Sequence, residues 1–382
     1  MAPLASAIFA ELAERKRELV SAGRSVYDFS IGSPDQPPAL HIRQALAEAA
    51  LDPANYQYAV KDEPLLLEAA AAWYRRRFGV ELDPVGEIIS LLGSQDGLAH
   101  LALALINPGD TVLVPDPGYP VFSEGPLLAQ ARLVRLPLLP ENDYLVDFAA
   151  VDPAEARRAK LMIVSYPNNP TTALAPPTFY RDLIAFAKEY DILVLHDNAY
   201  CELTFDGRHT DSFLSYPGAR EVGIEFNSLS KTYNLAGARI GFAFGNRDMI
   251  AALSSLKAHV DYGMFIPIQR AACAALNGPQ DQVAETRATY ERRRDFLVEG
   301  LAALGWKVPK PPATMFVWAP IPERFSSSTE FALELMEKSG VIVVPGAAFG
   351  SAGDRHVRLA LVQPEKVIRA ALASLQASRL FA

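Results

Sequence analysis

Only two cysteines, Cys201 and Cys273, occur in 382 residues. They lie far apart and have no further Cys or His at ligand spacing, which excludes a disulfide framework and a zinc site. Long apolar runs are also missing: the longest, Leu98 to Ile106, is interrupted by His100 and is too short to span a bilayer. There is no excess of positive charge, since 36 basic residues face 44 acidic ones for a formal net charge of −8. Nucleic acid is therefore not an expected partner. The alternation of acidic and basic residues from Glu11 to Glu18 is unlike a signal peptide, so a cytoplasmic location is expected. Internal repeats, low-complexity segments and long flexible linkers are absent. So is a G-x-G-x-x-G turn, which argues against a nicotinamide-dependent dehydrogenase. Two short basic runs, Arg75 to Arg77 and Arg292 to Arg294, lie in helical patterns and read as solvated helix faces.

What remains is a chain with 50% hydrophobic and 21% charged residues, long enough to divide into two lobes. Ala5 to Ala22 has helical spacing, and Val26 to Ile31 reads as an extended segment ending at Gly32. From about Pro64 to Leu276, β-rich runs alternate with helical patterns: Glu87–Leu91, Thr111–Val114, Leu161–Ser165, Ile192–His196, Gly223–Asn227 and Ile240–Phe244. Near-continuous apolar strands between helices imply an α/β fold with a mostly parallel sheet covered on both faces. Functional residues in such sheets gather at the carboxyl ends of the strands. A charged helical pattern from Gln280 to Leu304 leads into a smaller α+β lobe. There, extended runs at Trp306–Val308, Phe316–Ala319, Val341–Val344 and Val357–Leu361 surround a helix at Thr329–Ser339.

The segment Ser228-Leu229-Ser230-Lys231-Thr232-Tyr233-Asn234-Leu235-Ala236-Gly237-Ala238-Arg239-Ile240-Gly241 falls between two of these strands. Alone, Lys231 could be a surface cation. Arg239 and Ser228, however, offer a guanidinium and a hydroxyl suited to a phosphate dianion. This segment resembles the signature of the class I and II aminotransferases, enzymes of pyridoxal-phosphate fold type I, and the resemblance extends over nearly the whole chain.

It implies a seven-stranded, mostly parallel sheet between helices with a smaller α+β domain. The divisions would be an N-terminal arm at 1–45, a large cofactor-binding domain at 46–284 and a small domain at 285–382. It further implies pyridoxal 5′-phosphate as cofactor, an amino acid and a 2-oxo acid, with 2-oxoglutarate expected, as substrates, and a homodimer with shared active sites. Lys231 would bond the cofactor aldehyde and then carry a proton between the substrate Cα and the cofactor. That role requires a neutral amine, which desolvation and cationic neighbours can supply.

Other landmarks follow from the same resemblance. Asp197 ends the apolar run Ile192 to His196 and could simply cap the next helix; the resemblance pairs it with the pyridine nitrogen. Tyr200 and Asn169, the latter in Tyr166-Pro167-Asn168-Asn169-Pro170-Thr171, would bond the cofactor's phenolic oxygen. Ser94 and Gln95, after Gly93 at the start of a helical pattern, would bind phosphate at a helix N-terminus, together with Ser228 and Arg239. Tyr119 would stack on the cofactor ring. Arg358 and Gly32 would receive the substrate carboxylate. Tyr58, in Asn55-Tyr56-Gln57-Tyr58-Ala59, would reach the phosphate of a neighbouring subunit. The chain departs from the usual pattern at Thr172, where the family has glycine, at Ala238, where relatives often carry an aromatic, and in the glycine-free turn after Tyr58.

The wording of the motifs is most similar to the branch acting on LL-diaminopimelate, alanine and aspartate, with the first as the narrower expectation. Asp261, Tyr262 and Gly263 are candidate contributors to selectivity. A carbon–sulfur β-lyase could use the same Lys231, Asp197 and Arg239. A non-catalytic ligand-binding protein of the same fold is disfavoured by the retained lysine.

Overall fold

A computed structural model describes residues 6–381. Its strands are β1 (Tyr27–Asp28), β2 (Ile88–Leu91), β3 (Thr111–Asp116), β4 (Arg132–Pro137), β5 (Ala159–Ser165), β6 (Leu193–Asp197), β7 (Gly223–Ser228), β8 (Gly241–Gly245), β9 (Phe316–Pro320), β10 (Val341–Ile342), β11 (Val344–Pro345) and β12 (His356–Ala360). Seven of them form one sheet in the order β2-β8-β7-β6-β5-β3-β4. Within it β8 is antiparallel to both neighbours, and the other pairings are parallel.

Alternation along the strands builds the two cores. Met162, Val164 and Val194 bury against the helices Pro64–Phe78, Pro177–Tyr190 and Ile266–Asn277. Their neighbours Leu161, Ile163 and Leu195 bury on the other face against Ser94–Leu105, Val121–Leu128 and Arg247–Val260. Both faces are covered, as the apolar runs imply.

The six expected strands of this sheet form within a residue or two of their anticipated limits. The seventh, β4, is a largely exposed edge strand with arginines at 132 and 135. Charge on an edge blunts further pairing and erases the apolar signal.

In the smaller lobe, β9, β11 and β12 form a three-stranded sheet in the order β11-β12-β9. The run Val341–Val344 divides into β10, which pairs with β1, and β11, which pairs with β12. Trp306–Val308 is not a strand. Trp306 instead stacks on Phe381 and donates its indole N–H to Pro320 O at 2.8 Å, and Pro309 ends the run. The first helix spans Ser6–Ser21; Ala5 lies outside the described residues. Among the described residues no helix is long and apolar enough to cross a membrane.

The reading of Arg292 to Arg294 as a solvated face is corrected. Arg292 is exposed, but Arg293 and Arg294 are buried on the helix Asp281–Ala303. Arg294 forks onto Asp206 at 2.8 and 2.9 Å. Arg293 forks onto Asp35 at 2.7 and 2.8 Å, tying the segment that carries Gly32 to this helix. In the other run Arg75 is exposed, whereas Arg77 pairs with Glu202 at 2.6 Å and Arg76 donates to Leu276 O at 2.7 Å.

Candidate active site

The topology brings most of the candidate residues to one edge of the sheet. β5, β6 and β7 are parallel, so Asn169, Asp197, Tyr200, Ser228 and Lys231 lie at or just beyond their carboxyl ends. Ser94 and Gln95 follow β2, and Tyr119 follows β3. Because β8 runs in the opposite direction, Arg239, which precedes it, arrives at the same edge. Together with Gly32 and Arg358, these residues line a cavity of ≈ 810 Å³. Tyr58 is the exception: it is 86% exposed, outside that lining, and its ring packs 5.7 Å from Tyr262.

Lys231 sits in the single turn Leu229–Thr232, and its Nζ donates to Gly32 O at 2.8 Å. Burial, aided by the charges of Arg358 and Arg239, lowers its pKa from 10.5 to about 8. Asp197, at the end of β6, is buried, and burial raises its pKa from 3.8 to about 7. Its Oδ1 has no hydrogen-bond partner. A buried carboxylate oxygen left bare is costly unless a donor reaches it. Tyr200 is buried and its phenol is pushed upward by burial, against a hydrogen bond with Asn169.

Arg358 crosses from β12 into the cavity. Its Nη1 donates to Asn169 Oδ1 at 3.0 Å and its Nη2 to Ser30 O at 3.1 Å. Phe316 and Phe349 face its guanidinium at 4.2 and 4.7 Å from their ring centroids, which fixes its direction. Burial lowers its pKa to about 10, still above neutral pH. Gly32 is needed for this approach, since a Cβ there would lie 2.9 Å from the Phe316 ring.

At the other end of the cavity the helix Ser94–Leu105 begins after Gly93, with no side chain capping its first amides. Free amides at a helix N-terminus suit an anion. Ser228, Ser230 and Arg239 line the same cavity. Arg239 is anchored by donating to Ala236 O at 3.0 Å and Leu92 O at 3.4 Å. Gly93 has φ +80°, and a Cβ on it would strike the Arg239 guanidinium. Gly93→Ala is therefore expected to weaken pyridoxal-phosphate binding at least about tenfold, because the added Cβ displaces the Arg239 guanidinium and with it a charge-assisted hydrogen bond worth about 1.5–3 kcal/mol. Fluorescence titration of the cofactor-free protein measures it.

The residues present fit pyridoxal phosphate. The bare Asp197 oxygen matches a cationic ring N–H, the amides and Arg239 match a phosphate, and the lysine amine is poised to become neutral.

Thr172, the departure from glycine, adopts the left-handed conformation that glycine would favour, at φ +67°. Asn168 stabilises this turn: its carbonyl accepts from Thr172 N at 2.9 Å and its Oδ1 accepts from Thr171 N at 3.0 Å. Ala238 ends the short turn Ala236–Ala238 beside the cavity. Sequence reasoning missed Phe316 and Phe349, which carry no motif, and Glu124, whose only signal is helical spacing from Pro120 beside the cavity.

The family described as aminotransferase class I and II matches residues 24–375. The chain is 44% identical over 370 residues to an LL-diaminopimelate aminotransferase of Moorella thermoacetica, covering 97% of this chain and 95% of that one. It is 46% identical over 358 residues to another of that name from Desulforudis audaxviator, covering 94% and 91%. Among solved structures, apo-BacF of Bacillus subtilis superposes with a TM-score of 0.95 at 41% identity, covering 98% and 96%. An aspartate aminotransferase variant of Thermus thermophilus does so with 0.90 at 31% identity, covering 99% and 97%.

Proposed function

The chain belongs to the class I and II aminotransferases, and from that premise we propose that it is a cytoplasmic, homodimeric, pyridoxal-phosphate-dependent enzyme that transfers an amino group from LL-diaminopimelate to 2-oxoglutarate. The observation that carries the reading is the convergence of Lys231, Asp197 and Arg358 on one cavity. Pyridoxal phosphate, when bound, supplies a ring that accepts the electrons left behind as the α-proton of an amino acid departs.

The chain's own residues do the rest. Arg358, held by Asn169 and two aromatic rings, receives the α-carboxylate. Lys231, with a pKa near 8, has a substantial neutral fraction close to neutral pH and accepts the α-proton at Nζ. Asp197 holds the ring nitrogen; a cationic partner restores the charge that burial alone disfavours. Ser94, Gln95, Ser228 and Arg239 hold the phosphate, Tyr119 packs on the ring, and Asn169 and Tyr200 hold the phenolic oxygen.

Dimer formation is supported by an apolar surface around Tyr58, Val60, Val260, Tyr262 and Phe265, all exposed. Tyr56 is committed within the chain, donating to Ala50 O at 2.9 Å. Tyr58 is therefore the tyrosine we assign to the neighbouring phosphate.

For the donor, the named relatives support LL-diaminopimelate. So does Glu124, on the first turn of Val121–Leu128, which with Asp197 supplies the carboxylates among the described residues that line the cavity. We assign it to the donor's second ammonium group. Steady-state assays with LL-diaminopimelate and alanine test this. Glu124→Gln is expected to lower kcat/KM for the diamino acid about tenfold, the worth of one partly buried charge pair, and to leave alanine within about twofold. Equal loss for both donors removes Glu124 from recognition, and failure of wild type to use LL-diaminopimelate removes that donor.

A further inference from the structure

We propose that Glu225 is a positioning residue that clamps the Asp197 segment from the face of the sheet opposite the cavity. It rests on the reading of Asp197 as the cofactor's partner.

Glu225 lies on β7, fully buried and away from the cavity lining. Strand alternation puts Ile224 and Phe226 in the core beneath Ser94–Leu105 and turns Glu225 to the opposite face, under Pro64–Phe78 and Pro177–Tyr190. An acid in this layer needs donors, and it has them. Tyr74 Oη donates to Oε1 at 2.5 Å and Phe213 N to Oε2 at 2.7 Å. Asn198 Nδ2 donates to Oε1 at 3.1 Å, and His196 Nδ1 lies 2.8 Å from Oε2.

The last two contacts give the carboxylate its role. His196 and Asn198 are the residues immediately before and after Asp197, and both are held by the same side chain. Asn198 is fixed further, its N–H donating to Phe226 O at 2.9 Å and its carbonyl accepting from Asn227 Nδ2 at 3.0 Å. With both flanks pinned, Asp197 has little freedom to turn away from the cavity, and its bare Oδ1 stays presented there. A buried acid is weak evidence of stabilisation, because a well-packed apolar residue does as well. Tethering both neighbours of a functional carboxylate is something an apolar residue cannot do.

The test uses holoenzyme with Glu225→Gln, Asn198→Ala and the double variant. Gln keeps the volume but cannot accept from both His196 and Phe213 N–H while still serving Tyr74 and Asn198. Loss of such an orienting contact is expected to lower kcat about 10–100-fold. KM for the donor should stay within about threefold, because Arg358 and Gly32 are untouched. Release of pyridoxal phosphate, followed by its absorbance after dilution, should become about tenfold faster. Asn198→Ala should show the same split, and the double variant should lose no more than the worse single one, because both break one clamp. Turnover and cofactor release within twofold of wild type in either folded variant, or additive losses in the double variant, overturn the proposal. Should Glu225→Gln fail to fold, Asn198→Ala alone decides by the same criteria. An Asp197→Asn control separates the two levels: wild-type turnover and cofactor retention there defeat the reading of Asp197 itself.

Discussion

Lys231→Ala is expected to lower turnover on the order of 10⁴-fold, the upper end of what a positioned acid–base group contributes. The loss is large because the cavity offers no substitute at Nζ. Asp197 is the residue proposed to hold the ring nitrogen, Arg358 stays protonated at neutral pH, and the Tyr200 phenol is pushed upward by burial. The variant should still bind pyridoxal phosphate, since the contacts at the Ser94–Leu105 helix and Arg239 remain, but without the covalent bond. Single-turnover rates with and without added small amines measure it: an exogenous amine should restore part of the rate, because the missing group is an amine in a cavity of ≈ 810 Å³. Turnover within tenfold of wild type would show that another group carries the proton.

The second large effect belongs to Arg358. Removing one partner of a buried, hydrogen-bonded ion pair costs about 2–5 kcal/mol, so Arg358→Ala should reduce kcat/KM by about 30- to 4,000-fold, chiefly through KM. The same variant carries a pH signature. After burial, the Arg358 charge is the largest cause depressing the Lys231 pKa. A nearby cation disfavours a second one, so its removal must raise that pKa. Capture of pyridoxal phosphate by cofactor-free protein needs the neutral amine. In wild type its rate should rise through a midpoint near pH 8, and in Arg358→Ala the midpoint should lie higher, towards 10.5. An unmoved midpoint would mean that burial and Arg239, without Arg358, set the lysine.

Much of this site was legible because its parts are local in sequence. Ser228, Lys231 and Arg239 share one segment, and a strand buried on both faces ending in Asp197 announces a carboxylate at the sheet's active edge. The failures have a common cause in contacts between distant residues. Arg293 and Arg294 read as solvent-facing because their partners, Asp35 and Asp206, lie 258 and 88 residues away. β4 was missed because an edge strand needs only one pairing face and carries charge. Val341–Val344 split because one stretch serves β1 with one half and β12 with the other. The Glu225 clamp had a signal, an acid within Gly223-Ile224-Glu225-Phe226, but its donors come from elements spread over the large lobe.

The most direct test of the central claim follows the nitrogen itself. Purified enzyme with pyridoxal phosphate, LL-diaminopimelate labelled with ¹⁵N at both amino groups and 2-oxoglutarate should yield ¹⁵N-glutamate in equal measure to the donor consumed, with no labelled ammonia. Consumption of the donor without labelled glutamate would contradict transamination.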